Sequence, residues 1–401
     1  MEEHLSYNSS NPLGFCLLPS ELIQSILLNL ALPEIVGLKL VNKTLATVIS
    51  DQTFVRECNT RSSSAAWLFV FKKRWSKDAM LMGFTDRSAS NRWFKISIAK
   101  ILEPVVPPGE VFYFLTASGN IFLFACNRDK EVMAVDLMAK TVKKVPPSPL
   151  GPRGTSSWRR SGMKLVPGGP PGSGRFRFLF AELVEDRPTL FVYDSETDDW
   201  KRMEAEETEG RSRSRGEGLD GRIFLHLVNG PGSNVIISCG SESLSPLVLR
   251  PGFSGGGNQG REPNGRLGWD YSANLIHVYG DGHMMIVKSS DGDAARKRTR
   301  FLERIEIWGS SEDGRNWEFV SEIPRSLVGQ IEKPYGVLMG CLEERGGIIR
   351  ACLVSNCEGA WDMIWLSYDK ARGHWAYVPI PDSKMTGSNL AGISFSTGLN
   401  L

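Results

Sequence analysis

The sequence predicts an α+β multidomain chain: a small all-α segment near the N-terminal end, followed by an all-β propeller of about six blades. Three observations carry that prediction. Residues 18–56 place apolar side chains at helical spacing, and no later segment does. Beyond residue 66, glycine, tryptophan and short β-prone runs replace that spacing. The β-prone part also resembles itself at an interval near 58 residues.

In the helical segment, Leu18, Leu22, Ile23, Ile26, Leu27 and Leu30 recur at three- and four-residue steps and fall on one helix face. Pro19 suits a first helical turn, and Ser20 and Glu21 favour a helix start. Pro33 marks a second start. Ile35, Leu38, Val41 and Leu45 continue the apolar spacing, followed by Val48, Ile49 and Phe54. Two or three helices this short cannot bury all of that surface among themselves, so part of it meets the rest of the chain or a partner.

The repeat is a six-residue frame. Asp136, Asp194 and Asp369 stand six residues before Val142, Trp200 and Trp375, and Ser311 takes the Asp place before Trp317. Asp86 and Trp93 form a looser copy. The physical content is a hairpin. One strand ends at the Asp, whose carboxylate bonds backbone N–H groups in the turn, and the Trp opens the next strand facing inward. Val142 to Trp200 and Trp317 to Trp375 are both 58 residues, and Trp200 to Trp317 is 117, so one copy between them has decayed. Val248-Leu249-Arg250 is the candidate for its strand. Apolar runs mark six units, at about 67–96, 111–146, 163–203, 222–250, 275–324 and 335–381. Sheets repeating radially make a propeller, with few unprotected edges. The final GISFSTGLNL is placed to pair with the first sheet and close the ring. A pair of β-sandwiches is the alternative architecture, but it needs no such period.

Charge is nearly balanced, 47 Lys+Arg against 45 Asp+Glu, so no global field points to nucleic acid or an anionic membrane. Seven scattered cysteines without a CxxC pair suit reduced thiols in the cytoplasm or nucleus. No run approaches the length of a membrane span and residues 1–17 carry no secretory signal, so this stretch reads as a flexible N-terminus. The five histidines have no metal-ligand spacing, and neither metal nor cofactor is expected. Gly255, Gly257 and Gly260 fit GxGxxG, but Arg261-Glu262-Pro263 follows where a dinucleotide site needs a helix. Residues 204–218 lack an apolar anchor and read as a loop; residues 146–175, rich in Pro, Gly, Ser and Arg, read as an extended connection between blades. The basic run 294–300 reads as a solvated loop.

Residues 18–60 closely resemble an F-box. Leu18, Pro19, Glu21, Leu22, Ile26 and Leu27 match the opening of the family pattern, and Val41, Lys43, Ile49 and Phe54 its later part. Leu45 stands where the family carries Trp. Residues 67–397 resemble kelch repeats, through Gly346-Gly347, Tyr368-Asp369 and Trp375, and through Tyr193-Asp194 and Trp200. An F-box followed by kelch repeats is a combination familiar from plants. The resemblance implies a substrate-recognition subunit of a Skp–cullin–F-box ubiquitin ligase, acting in protein degradation without catalysing a reaction itself. Leu18, Pro19, Leu22, Ile23, Ile26, Leu27 and Val41 would then dock a Skp-type adaptor and, through it, cullin and RING subunits. The propeller loops would hold a target protein, with Trp158, Arg159, Arg160, Trp269, Tyr271 and Trp361 as candidate contacts because aromatics and arginines dominate such surfaces. The alternatives are a propeller scaffold independent of any ligase and a propeller enzyme, a glycosidase or oxidase.

Overall fold

The structure is a computed structural model. It describes residue 14 and residues 17–399 apart from 63–64, 74–78, 87–90, 108, 170–172, 208–220, 229–233, 241–243, 254–274, 292–299, 312, 332–334, 358–359, 383 and 385–388. Four helices come first: α1 (Ser20–Leu27), α2 (Leu32–Leu38), α3 (Lys43–Ile49) and α4 (Gln52–Ser62). Their boundaries follow from local chemistry. Glu34 turns back to accept from the Ala31 N–H at 3.0 Å, Asn42 Oδ1 caps α3 by accepting from the Leu45 N–H at 2.8 Å, and Asp51 Oδ1 accepts from Thr53 and Phe54 N–H ahead of α4. The sequence reading expected two or three helices. α4 adds a fourth because Phe54 and Cys58 anchor an otherwise polar stretch in the core.

Six sheets follow. Blade 1 holds β1 (Ala66–Lys73), β2 (Met80–Phe84) and β3 (Phe94–Ser97), and helix α5 (Ile98–Leu102) leads out of it. Blade 2 is β4 (Phe112–Ser118), β5 (Ile121–Cys126), β6 (Val132–Asp136) and β7 (Thr141–Val145). Blade 3 is β8 (Met163–Pro167), β9 (Phe176–Val184), β10 (Arg187–Asp194) and β11 (Asp199–Glu204). Blade 4 takes β12 (Glu206–Glu207), β13 (Arg222–Val228), β14 (Asn234–Gly240) and β15 (Leu247–Leu249). Blade 5 takes β16 (Gly252–Phe253), β17 (Leu275–Gly280), β18 (His283–Asp291), β19 (Arg300–Ser310) and β20 (Asn316–Glu322), with α6 (Arg325–Val328) after it. Blade 6 is β21 (Val337–Arg345), β22 (Ile348–Cys357), β23 (Ala360–Asp369) and β24 (His374–Val378). Strand β25 (Asn389–Thr397) then returns to blade 1 and pairs antiparallel with β1, Ala66 opposite Thr397. The ring closes as the final segment suggested, and the paired-sandwich alternative is set aside.

The Asp–Trp frame forms the hairpin between the third and fourth strands of a blade. Asp136 Oδ1 accepts from Met138 and Ala139 N–H, Asp194 Oδ1 from Glu196, and Asp369 Oδ1 from Ala371 and Arg372. In blade 5 the Ser311 hydroxyl does the same work, accepting from the Asn316 N–H at 2.9 Å and donating to Asp313. The tryptophans then reach across to the preceding blade. Trp200 Nε1 donates to Pro146 O and Trp375 Nε1 to Ser321 Oγ, both at 2.9 Å, and Trp93 Nε1 to Pro381 O. In blade 4 the frame is replaced. β15 is three residues long, and its outer neighbour is the parallel strand β12, drawn from the connection that precedes the blade.

Two loop expectations are corrected. Within 146–175, residues 163–167 are β8, because Met163 and Leu165 face the interior between blades 2 and 3. Within 204–218, Glu204 ends β11 and Glu206-Glu207 pair with Leu247-Val248, so backbone bonding supplies the anchor that the side chains lack. Gly252-Phe253 likewise pairs in parallel with Asn316-Trp317. The GxGxxG stretch lies outside the described residues, as does the basic run except for Arg300 at the start of β19.

The innermost strands β4, β8, β13, β17, β21 and β25 ring a central axis. Neighbouring ones run the same way: Gly340 packs on Val278 and Gly280 on Leu342, while Gly392 packs on Phe114 and Ser396 Oγ bonds Gly119 O. They begin at one rim, here the upper, and end at the lower. The helices sit at the lower rim. α4 feeds into Ala66, opposite the end of β25, and Glu34 is 3.3 Å from Arg92 just ahead of β3. The described residues of connections 98–111, 146–162, 323–336 and 379–388 lie at the upper rim.

Candidate functional site

Helix α1 is amphipathic with two apolar faces. Ile23 (1% exposed) and Leu27 (0%) point inward, joining Ile35, Leu45, Val48, Ile49 and Phe54 in a core continuous with Trp67 and Phe69 of β1. Leu45, in the place of the family's Trp, fills this core and is buried. On the adjoining arc Leu22 (52% exposed) and Ile26 (43%) are open to solvent with Leu18 and Pro19, and Leu17, Leu40 and Val41 are exposed beyond them. Of the seven residues expected to face a partner, Ile23 and Leu27 therefore belong to the chain's own core. The same 3.6-residue period puts both sets on neighbouring arcs of one helix, and sequence spacing alone does not separate them. Seven exposed apolar side chains on one short helical unit are the kind of surface that marks an interaction site.

Residues 15–57 match the family model of the F-box domain. The F-box thus covers α1 to α3 and the first half of α4, and its exposed stripe lies on the side away from the propeller core. No curated protein matches this chain. Among solved structures, a chain of a nidogen/laminin complex is 10% identical at a TM-score of 0.39, over 84% of this chain and 100% of that one. YCF48 from Cyanidioschyzon merolae is 12% identical at 0.34, over 82% of this chain and 97% of that one. The β-propeller domain of the trilobed protease from Pyrococcus furiosus is 10% identical at 0.30, over 67% and 84%. Likeness at this level carries no argument, and the propeller assignment rests on the strand pairing itself.

The aromatic and arginine candidates on the propeller separate into distinct settings. Trp158 is half-buried between Phe178 and Phe180, with the Arg153 guanidinium 5.1 Å from its ring and paired to Glu182 at 2.7 Å. Trp361 packs against the core between blades 6 and 1. Arg159 is exposed near the upper rim, and Arg160 lines the axial cavity. Trp269 and Tyr271 lie outside the described residues.

A second cluster was not visible in the sequence. Near the lower end of the axis, Lys164 of β8 donates to Asp281 at 2.5 Å, and Asp281 Oδ2 accepts from the Glu344 N–H at 3.1 Å, which ties blades 3, 5 and 6 together. Glu343 lies beside them. Burial pushes its carboxyl up to about 7, although Lys164 pulls the other way. His226 of β13 is buried against Tyr279 and Trp317, and its Nε2 has no hydrogen-bond partner. Burial pushes His226 down to about 3, with Asp281 raising it and His283 lowering it. A neutral folded imidazole opposite an unfolded one that protonates below its usual 6.5 means stability is lost as pH falls through that interval. His226→Phe keeps the ring and removes the proton site. Its stability relative to the parent is expected to improve by about 2 kcal/mol on going from pH 7 to pH 5, read from urea unfolding at each pH.

Proposed function

We propose that the chain is the substrate-recognition subunit of an SCF-type ubiquitin ligase. Its F-box docks a Skp-type adaptor through Leu18, Pro19, Leu22, Ile26 and Val41, with Ile23 and Leu27 holding the helix in place, and thereby reaches cullin and RING subunits. The observation that carries the reading is the exposed stripe on α1, left bare although the same helix buries Ile23 and Leu27 in its own core. A few desolvated apolar anchors supply most of the energy of such docking.

The kelch-type propeller, of the arrangement familiar from plants, is the target receptor. Its connections at the upper rim stand on the far side of the ring from the helices, so adaptor and target occupy opposite faces. Exposed Arg159 is a target contact there. The chain performs no covalent step. It raises the local concentration of a target lysine near activated ubiquitin carried elsewhere in the complex. The setting is the cytoplasm or nucleus, and among the described residues no helix is long and apolar enough to cross a membrane.

Affinity capture of the full chain from cells with the proteasome blocked, read by mass spectrometry, tests this. Co-capture of adaptor, cullin and a ubiquitin-modified protein is the expected result. Capture of stable partners without any adaptor would instead make the chain a ligase-independent scaffold.

A further inference from the structure

All six blades contribute inner strands or rim residues to an axial cavity of about 690 Å³, within the usual range for small-molecule sites. Two of its lining side chains are incompletely partnered, one without a carboxylate and one without a hydrogen bond at a carboxylate oxygen. Arg160 donates from Nη2 to the Tyr113 hydroxyl at 2.7 Å, lies over that ring, and has Nη1 4.0 Å from Met339 Sδ. Among the described residues no carboxylate pairs with it. Glu343 is the complement. Its side chain is 12% exposed and its Oε1 accepts no hydrogen bond, the nearest cation being Arg350 Nη1 at 3.8 Å. Lys164 and Asp281, between them, already satisfy each other.

A guanidinium set against a hydroxyl and a thioether instead of a carboxylate, and a buried carboxylate oxygen with a distant cation and no hydrogen bond, both cost folding free energy. Their separation rules out a mutual bond. Met339, beside Arg160, precedes Glu343 by four residues on β21, roughly 13 Å along the strand. We propose that the axial cavity is a binding site for an elongated small carboxylate: its carboxylate seats on Arg160 and the Tyr113 hydroxyl, and a hydrogen-bond donor at its far end, an amine or hydroxyl, seats on Glu343. Leu115, Phe224 and Leu342 supply the apolar wall for the stem between them. This site is separate from the F-box stripe and stands whether or not an adaptor binds.

Isothermal titration of the full chain with linear carboxylates from acetate to decanoate, and with their ω-amino counterparts, tests the site. Affinity is expected to peak at one intermediate length and to be at least tenfold higher for the ω-amino compound there than for the plain acid. Arg160→Met abolishes binding of both series, and Arg160→Lys retains part of it, since a point charge replaces a two-pronged donor. Glu343→Gln lowers the ω-amino affinity towards that of the plain acid. Both glutamine and lysine variants preserve size and polarity, which keeps the ring folded, as unfolding midpoints verify. Absence of heat for every compound, or affinities unmoved by Arg160→Lys and Glu343→Gln in folded protein, overturns the proposal.

Discussion

A chain carrying Leu22→Asp and Ile26→Asp is expected to lose adaptor binding by a factor on the order of a hundred or more while keeping its unfolding midpoint. Each side chain is an exposed anchor whose loss costs about 2 kcal/mol, roughly thirtyfold in affinity. Charges set against an apolar partner add desolvation on top. The fold is indifferent because both residues already face water, where substitutions shift stability by only about 0.5 kcal/mol. Ile23→Asp is the contrasting variant: it places a carboxylate in the core shared with Trp67, so stability and binding fall together. A binding assay with purified adaptor, run beside thermal unfolding, separates the two. Adaptor retained at parental affinity by the double variant would end the docking assignment.

The second large effect is expected in the ring. Gly280→Ala should destabilise the protein by about 3 kcal/mol, at the upper end of overpacking costs. A Cβ at this position would stand 2.0 Å from the Leu342 carbonyl oxygen and 2.7 Å from its carbon. Those are backbone atoms of the neighbouring blade's inner strand, so no rotamer relieves the clash and blades 5 and 6 must part. Gly392→Ala meets the same obstacle at the junction of β25 and β4, with Phe114 O at 2.4 Å and a φ of +146° that an L side chain resists. Urea unfolding that leaves Gly280→Ala within 1 kcal/mol of the parent would show that the strands do not approach this closely.

Local chemistry is what made the fold legible. Asp136, Asp194 and Asp369 cap turns within three residues of themselves, so their spacing announces hairpins without any knowledge of the ring. Leu18 to Leu30 announce helix and surface in the same way. What escaped depends on distant chain. Glu206-Glu207 and Gly252-Phe253 carry no strand pattern and become strands only because Leu247 and Asn316 offer free edges. Helix α4 reads as polar, and only Phe54 and Cys58 betray its buried side. Ile23 and Leu22 are adjacent and equally apolar, yet one is core and the other surface, a distinction set by which side of α1 packs on α3. Arg160, Lys164, Asp281 and Glu343 share no motif, because curling six sheets into a circle is what brings them together.

Closure by β25 has a temporal side. Ribosomes deliver a chain from its N-terminus, so α1 to α4 emerge early, while Asn389–Thr397, the innermost strand of blade 1, emerges after every other strand described. Until then β1 lacks its inner neighbour, and its free edge invites mispairing with other nascent chains. Translation stopped short of Asn389 would yield a polypeptide with the exposed stripe of α1 in place and the ring unclosed; under the function proposed above, such a molecule would occupy an adaptor without delivering anything to it.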